Sequence, residues 1–434
     1  MKKTLAFLIA LVSITSAVFA GGSSDSSKGA VAPYDPNKQY TIRIGAFGDL
    51  ETAYKAVIDS PDFKQKFPNI KIVFQTSDFG GHHSRLTTVL AAGEATNDIE
   101  SLEIGYVAKF VEGGGLTDLA AAPFNGMTAG KDLVKFGMSN ATTKKGELVA
   151  MPVDIAPAVL FYRKSLLDAA GVSFEGLKDW NEFIQVSKKL VKDRNKDGKI
   201  DQFAIPHANE VAMMPLNGGK GDWFNAKGQP LQPKEKFISA LTLVKNIRDA
   251  GIDGDLGGWS GPWLQGFADG TVCSIVNGAW WGGALKTYVA PELSGDWRVT
   301  YLPGKVYASQ GGTYLSIPAF VPNTQKAAAW EILKYLTTSP NAQLITFKTI
   351  DAFPALTTVF NDPVMNEPVE YFGGQKVRQI YADIAKNIPS AIVTEYDAIA
   401  SAIFGNAVTD VLVNGKSAEE AYKTALNELS VLID

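Results

Sequence analysis

The chain has one cysteine, Cys273, and three histidines, His82, His83 and His207, among 434 residues. No disulfide can close within it, and Cys₄ or Cys₂His₂ zinc sites are excluded. So few histidines leave little material for metal or triad chemistry. Beyond the N-terminus no stretch approaches the roughly 18 consecutive apolar residues of a membrane span, so the mature chain is expected to be soluble. A basic block is missing too: 41 Lys and Arg stand against 45 Asp and Glu, a formal charge of −4. That balance is a poor match for nucleic acid or anionic lipid, and neither is expected as a partner.

What is present begins with a leader. Lys2-Lys3 is a cationic start, Leu5 to Ile14 a short apolar core, and Ala17-Val18-Phe19-Ala20 a small-residue cleavage site. Residues 1–20 are therefore predicted to be a cleaved secretory signal peptide, and residues 21–38, rich in Gly, Ser and Pro, a flexible lead-in. No cysteine stands at the cleavage site directly following the apolar core, so a lipoprotein is not expected.

The stretch Gly146 to Arg163 organises the chain on either side of it. It runs apolar, places Asp154 between Pro152 and Pro157, and ends on Phe161-Tyr162-Arg163. Proline lacks a backbone donor and restrains its neighbour, so two short extended segments meeting at Asp154 are predicted here. The chain is expected to pass from one domain to another at this point, with Asp154 facing the gap. Upstream, strands at Tyr40–Phe47, Ile70–Thr76 and Asp98–Ile104 alternate with helices. That order predicts an α/β fold with a mainly parallel, doubly wound sheet. Ser417-Ala418-Glu419-Glu420 is a capping box opening the last helix.

Tryptophan is concentrated in Gly257-Gly258-Trp259-Ser260-Gly261-Pro262-Trp263 and Asn277-Gly278-Ala279-Trp280-Trp281-Gly282-Gly283. An indole offers a flat apolar face and one donor, which suits the C–H face of a sugar; the alternative is that these rings close a core. Asp49, Asp78, Glu103 and Asp154 sit at strand-to-helix junctions, where acceptors for hydroxyl groups would collect. Asp193-Arg194-Asn195-Lys196-Asp197-Gly198-Lys199-Ile200-Asp201 fits the first nine positions of an EF-hand loop, but the twelfth is Ala204. Asp193, Asn195, Asp197 and Asp201 are thus a candidate structural calcium loop or a glycine-centred turn; no other cofactor is required. Asn414-Gly415-Lys416-Ser417 fails as a phosphate loop, and Gly258-Trp259-Ser260-Gly261-Pro262 fails as a nucleophile elbow.

The Pro-x-Asp…Leu-Phe-Tyr-Arg-Lys-x-Leu-x-x-x-Ala-Gly stretch and Trp180-Asn181-Glu182-Phe183 resemble the family 1 extracellular solute-binding proteins of ABC importers. Four further segments agree in order: Leu90-Ala91-Ala92-Gly93, Gly266-Phe267-Ala268-Asp269-Gly270 through Trp280, Gly311-Gly312-Thr313-Tyr314, and Ala327 to Thr337. The resemblance implies a two-lobed periplasmic binding protein fold with a hinge and an interlobe ligand cleft. It implies lobes at 39–152 plus 308–358 and at 153–307 plus 359–434. It also implies a monomer that captures a sugar or oligosaccharide by lobe closure and hands it to a membrane permease, without catalysis. Carried across by motif, Asp49, His82, Glu103, Asp154, Trp280, Gly312 and Tyr314 are ligand-binding candidates, with Trp223, Trp259 and Trp263 as further aromatic contacts. The competing readings are an exported carbohydrate-active enzyme using a carboxylate pair, and a binder of another polar solute such as a polyol phosphate.

Overall fold

The computed structural model describes residues 30–111, 115–219, 222–391 and 393–433. The predicted signal peptide lies outside the described residues. Part of the expected lead-in is held against the molecule: Ala32 N–H donates to Asn323 O at 3.1 Å and the Tyr34 hydroxyl to Asn69 Oδ1 at 2.8 Å.

Eight strands form one continuous sheet: β1 (Tyr40–Phe47), β2 (Ile70–Ser77), β3 (Ile99–Glu103), β4 (Met151–Arg163), β5 (Ser274–Gly278), β6 (Trp297–Thr300), β7 (Ser309–Ser316) and β8 (Phe353–Pro354). The order is β2-β1-β3-β7-β4-β5, with β6 and β8 paired to β4. The α/β class holds. The expected parallel pairing holds for β1 with β2 and with β3, the strands joined through helices Leu50–Ile58 and Phe79–Ala91. Where β7 comes back from the second lobe it runs against both β3 and β4, and β5, β6 and β8 also lie antiparallel to β4.

β4 is a single strand of 13 residues, every one of them buried. This corrects the two-segment expectation. Its register with β7 shifts between Pro152 and Asp154 and again between Ile155 and Pro157. Each proline therefore sits at a bulge, where a missing donor costs the ladder little. Successive side chains of β4 point to opposite faces, and the two faces feed different cores. Val159 and Phe161 join the core of Ile42, Leu86, Leu102, Trp281 and Trp330. Ala158, Leu160 and Tyr162 join that of Phe183, Trp223, Phe237, Phe404 and Leu429. The final helix opens on the predicted box: Ser417 Oγ accepts the Glu420 N–H and Glu420 Oε2 accepts the Ser417 N–H.

β7 carries the glycines that let the crossing close up. Gly312 has φ +125°, and a Cβ there would lie 3.1 Å from the Asp154 carbonyl oxygen and 3.3 Å from Ile155 Cα. Both neighbours are backbone, so neither can yield cheaply. Gly312→Ala is expected to cost about 2 kcal/mol through strain at a positive φ. Urea unfolding should show a lowered midpoint with an unchanged slope; an unaltered midpoint would remove Gly312 as a constraint on the crossing.

Candidate functional site

The ligand-side ends of three strands meet at the crossing. Glu103, the last residue of β3, pairs with Thr313 of β7, and Thr313 pairs with Asp154 of β4. Ala158 of β4 pairs with Gly278, the last residue of β5. The carboxyl end of β3 from the first lobe and that of β5 from the second thus open onto one place. That is where open α/β sheets collect ligands.

The first lobe lines it with aromatic rings that the sequence reading missed. Phe47 ends β1, Phe79 opens the helix Phe79–Ala91, and Tyr106 lies on the helix Ile104–Val111. His83 stacks on Tyr106 at 3.9 Å between centroids and lies 4.7 Å from Phe79 and 5.0 Å from Phe47. Phe79 remains 46% exposed, a large ring presented to solvent. His82, the expected contact, is buried, a correction to that assignment. Its Nε2 donates to Ser101 O at 2.7 Å, so the ring braces β3 instead of reaching a ligand. His83 Nδ1 donates to Phe79 O and its Nε2 accepts the Glu103 N–H at 3.0 Å. Both roles require a neutral ring, and burial holds both histidines below the ordinary value.

Asp49 is exposed at the start of helix Leu50–Ile58 and makes no cap bond. Burial raises the Tyr288 phenol, and the charge of Asp49 raises it further. Glu103 Oε2 accepts the Gly105 N–H at 2.7 Å. Asp154 is 8% exposed; its Oδ1 accepts the Thr313 N–H at 3.1 Å and its Oδ2 has no partner. Burial pushes its carboxyl up to about 6, with Glu103 adding to the rise.

The tryptophans separate into two groups. Trp280 is half-buried, and its Nε1 donates to Gln310 O of β7 at 2.8 Å. Its indole lies against Gly311, whose φ is +111° and whose Cβ would meet Nε1 at 3.2 Å. Trp259 is 59% exposed and nearly parallel to Trp280, at 11° and 6.0 Å. It sits in the left-handed region at φ +63°, a costly backbone for a bulky residue that is given over to presenting a ring. Trp263 packs beneath it at 5.3 Å and is itself buried.

Two other assignments are corrected, those of Trp223 and Tyr314. Trp223 is buried among Phe237 and Phe404 and belongs to the second core. Tyr314 is fully buried on the first-lobe side of β7, where the pleat turns it away from the opening. In the candidate calcium loop the oxygens are engaged internally. Asp193 accepts the Asp197 and Gly198 N–H groups, and Asn195 accepts the Asp197 N–H. Asp201 is bound by the backbone and guanidinium of Arg194. Among the described residues no group of three His, Cys, Asp or Glu is placed to hold a metal.

One carboxylate was missed. Glu210, on the short turn Asn209–Ala212, accepts the Trp263 Nε1–H at 2.8 Å through Oε1. The signal lay in its isolation, since it is the only acid between Asp201 and Asp222.

A family model described as bacterial extracellular solute-binding protein matches residues 61–373. The chain is similar to an arabinooligosaccharide-binding protein of Bacillus subtilis, 24% identical over 444 residues and covering 98% of each chain. It is similar also to one of Halalkalibacterium halodurans, 24% identical over 381 residues, covering 84% of this chain and 83% of that protein. Among solved structures, an extracellular solute-binding protein of family 1 matches with TM-score 0.76 at 21% identity, over 91% of this chain and 100% of the other.

Two outcomes are expected. A carboxyl whose folded pKa is raised destabilises the fold progressively as pH climbs from its unfolded value, 3.8, to about 6, and fully above that. Asp154→Asn keeps the acceptor for Thr313 and cannot ionise, so it should gain stability above pH 6, by at most about 3 kcal/mol. Melting curves at acid and neutral pH check this, and a loss at neutral pH that vanishes at acid pH would mark Asp154 as an ionised anchor. Chelation by EDTA should leave the melting temperature unchanged; a drop reversed by added calcium would restore the coordination reading of Asp193.

Proposed function

The chain belongs to the bacterial extracellular solute-binding protein family, and from that premise we propose that it is the carbohydrate-capturing component of an ABC importer. The observation that carries this reading is the indole platform of Trp259 and Trp280, tied by Trp280 Nε1 to the strand that joins the lobes. Flat apolar faces beside hydroxyl acceptors are what a pyranose or furanose ring requires. Across the opening, Phe79 and Tyr106 offer further ring faces, and Asp49 and Glu103 offer acceptors. The two relatives bear the name of arabinooligosaccharide binding, which supports an oligosaccharide as the ligand class.

Capture works through closure. A ligand that touches both walls gains its full set of contacts only when the lobes approach, so binding shifts the population toward the closed form. The closed form is what a membrane permease would engage. Export through a cleaved leader and a periplasmic, monomeric state complete the proposal; among the described residues no helix is long and apolar enough to cross a membrane. No chemistry is assigned to the carboxylates, because the family and the relatives are binding proteins.

A thermal-shift screen against arabino-, galacto- and malto-oligosaccharides is expected to raise the melting temperature with at least one, since a ligand bound only by the folded state stabilises it. Trp280→Ala should then weaken that ligand about tenfold or more, roughly 1.4 kcal/mol, without unfolding the protein. Turnover of the oligosaccharide on incubation would favour the enzyme reading. A shift with polyol phosphates alone would favour the third.

A further inference from the structure

Glu210 is unlike the other acids of the second lobe. Within Ala204 to Met214 the only other titratable side chain is His207. Glu210 Oε1 is taken by the Trp263 indole, while Oε2 has no partner and is shut off from solvent, although the residue as a whole is half-buried. Among the described residues no cation answers it. The helix Lys234–Asp249, packed on its turn, brings Arg248, which is engaged with Asp253 and Asp255. His207 is paired with that same Asp255 at 3.1 Å. From the helix Gly261–Asp269 comes only Asp269, which caps the Thr271 N–H, and neither β5 nor Met214–Gly219 carries a charge.

An ionised carboxylate in this position would be a buried charge without a partner. Ionised, it would be drawn toward water and away from the Trp263 indole, since the residue already borders solvent. Trp263 in turn supports Trp259 at 5.3 Å, and Trp259 lies along Trp280. We propose that Glu210 is a positioning residue for the tryptophan wall: carrying its proton it holds Trp263, and through it Trp259, in the ligand-ready arrangement, and losing that proton loosens the wall. This rests on the reading of those indoles as the carbohydrate platform. The Trp263 N–H favours the charged form, but burial outweighs it and pushes the Glu210 carboxyl up to about 8, so the neutral form prevails at neutral pH. Because the folded state holds the proton more tightly than the unfolded chain, stability declines as pH rises from the ordinary carboxylate range to about 8 and then levels off.

The test uses the full mature chain. Tryptophan emission of the unliganded protein is followed from neutral to alkaline pH for wild type and Glu210→Gln, with arabinotriose and maltotriose affinities measured across the same range. Glutamine keeps an acceptor for the indole and cannot ionise. Wild-type emission should titrate near pH 8 and Glu210→Gln should stay flat. Wild-type affinity should fall about tenfold per pH unit above that midpoint, while the variant keeps neutral-pH affinity throughout. Lys286, whose ammonium burial lowers to about 8, is present in both proteins, so their difference isolates Glu210. Should the variant fail to fold, difference infrared spectroscopy of the wild type must show a carboxylic acid band lost near pH 8. A variant that titrates like wild type, or the absence of that band, overturns the proposal. If neither sugar binds at any pH, the carbohydrate reading falls, while emission still decides whether Glu210 positions the wall.

Discussion

The antiparallel ladder between β4 and β7 is the constraint on which the rest of the molecule depends. It joins the two lobes into one sheet, delivers side chains of one strand to two cores, and supplies the backbone against which the site is built. Gly311 and Gly312 allow two close approaches on successive residues, the indole of Trp280 on one and the backbone of Asp154 on the other. Any side chain at either position would push the platform or the crossing strand outward. Because the Trp280 indole is bonded to β7, the proposed ligand platform is tied directly to the strand that joins the lobes.

Much of this was legible in the residues because it rests on local chemistry. The alternation of Tyr40–Phe47, the capping box at Ser417 and the crossing at Asp154 each arise from side-chain period, a paired cap or a turn. The continuity of β4 was not legible. Pro152 and Pro157 argue against a strand unless the partner is known to shift register beside them, and the partner lies about 160 residues away along the chain. The tryptophans show the same limit. Trp223 and Trp259 both lie near glycines in sequence, but only packing against Phe237 and Phe404 separates the core ring from the displayed one. His82 and Tyr314 failed as contacts through direction: the helix Phe79–Ala91 turns the first inward and the pleat of β7 the second.

The calcium loop is a case where spacing and geometry part company. Its glycine-centred turn is well formed, with Asp193 gathering two backbone N–H groups. Arg194 binds Oδ1 of Asp201, and Ala204 brings no carboxylate to the twelfth position, so a calcium ion would need a ligand from elsewhere in the chain.

The acids around the opening favour an uncharged, hydroxyl-bearing ligand over an anion. Burial raises both Asp154 and Glu210, and among the described residues neither is matched by a lysine or arginine. An anion placed there would add a charge to a wall that already resists ionisation, with no cation to offset its lost hydration. A neutral hydroxyl can donate to a carboxylate or accept from a carboxylic acid, so it tolerates either protonation state of Asp154. The indoles impose the other half of the selection, since their faces reward apolar C–H surface. A polyol phosphate would satisfy the acceptors but leave those faces without a ring, and its phosphate would find no guanidinium among the described residues that line the wall. The displayed indoles and the absence, among the described residues, of a cation beside Asp154 therefore fit the proposed sugar ligand better than an anion.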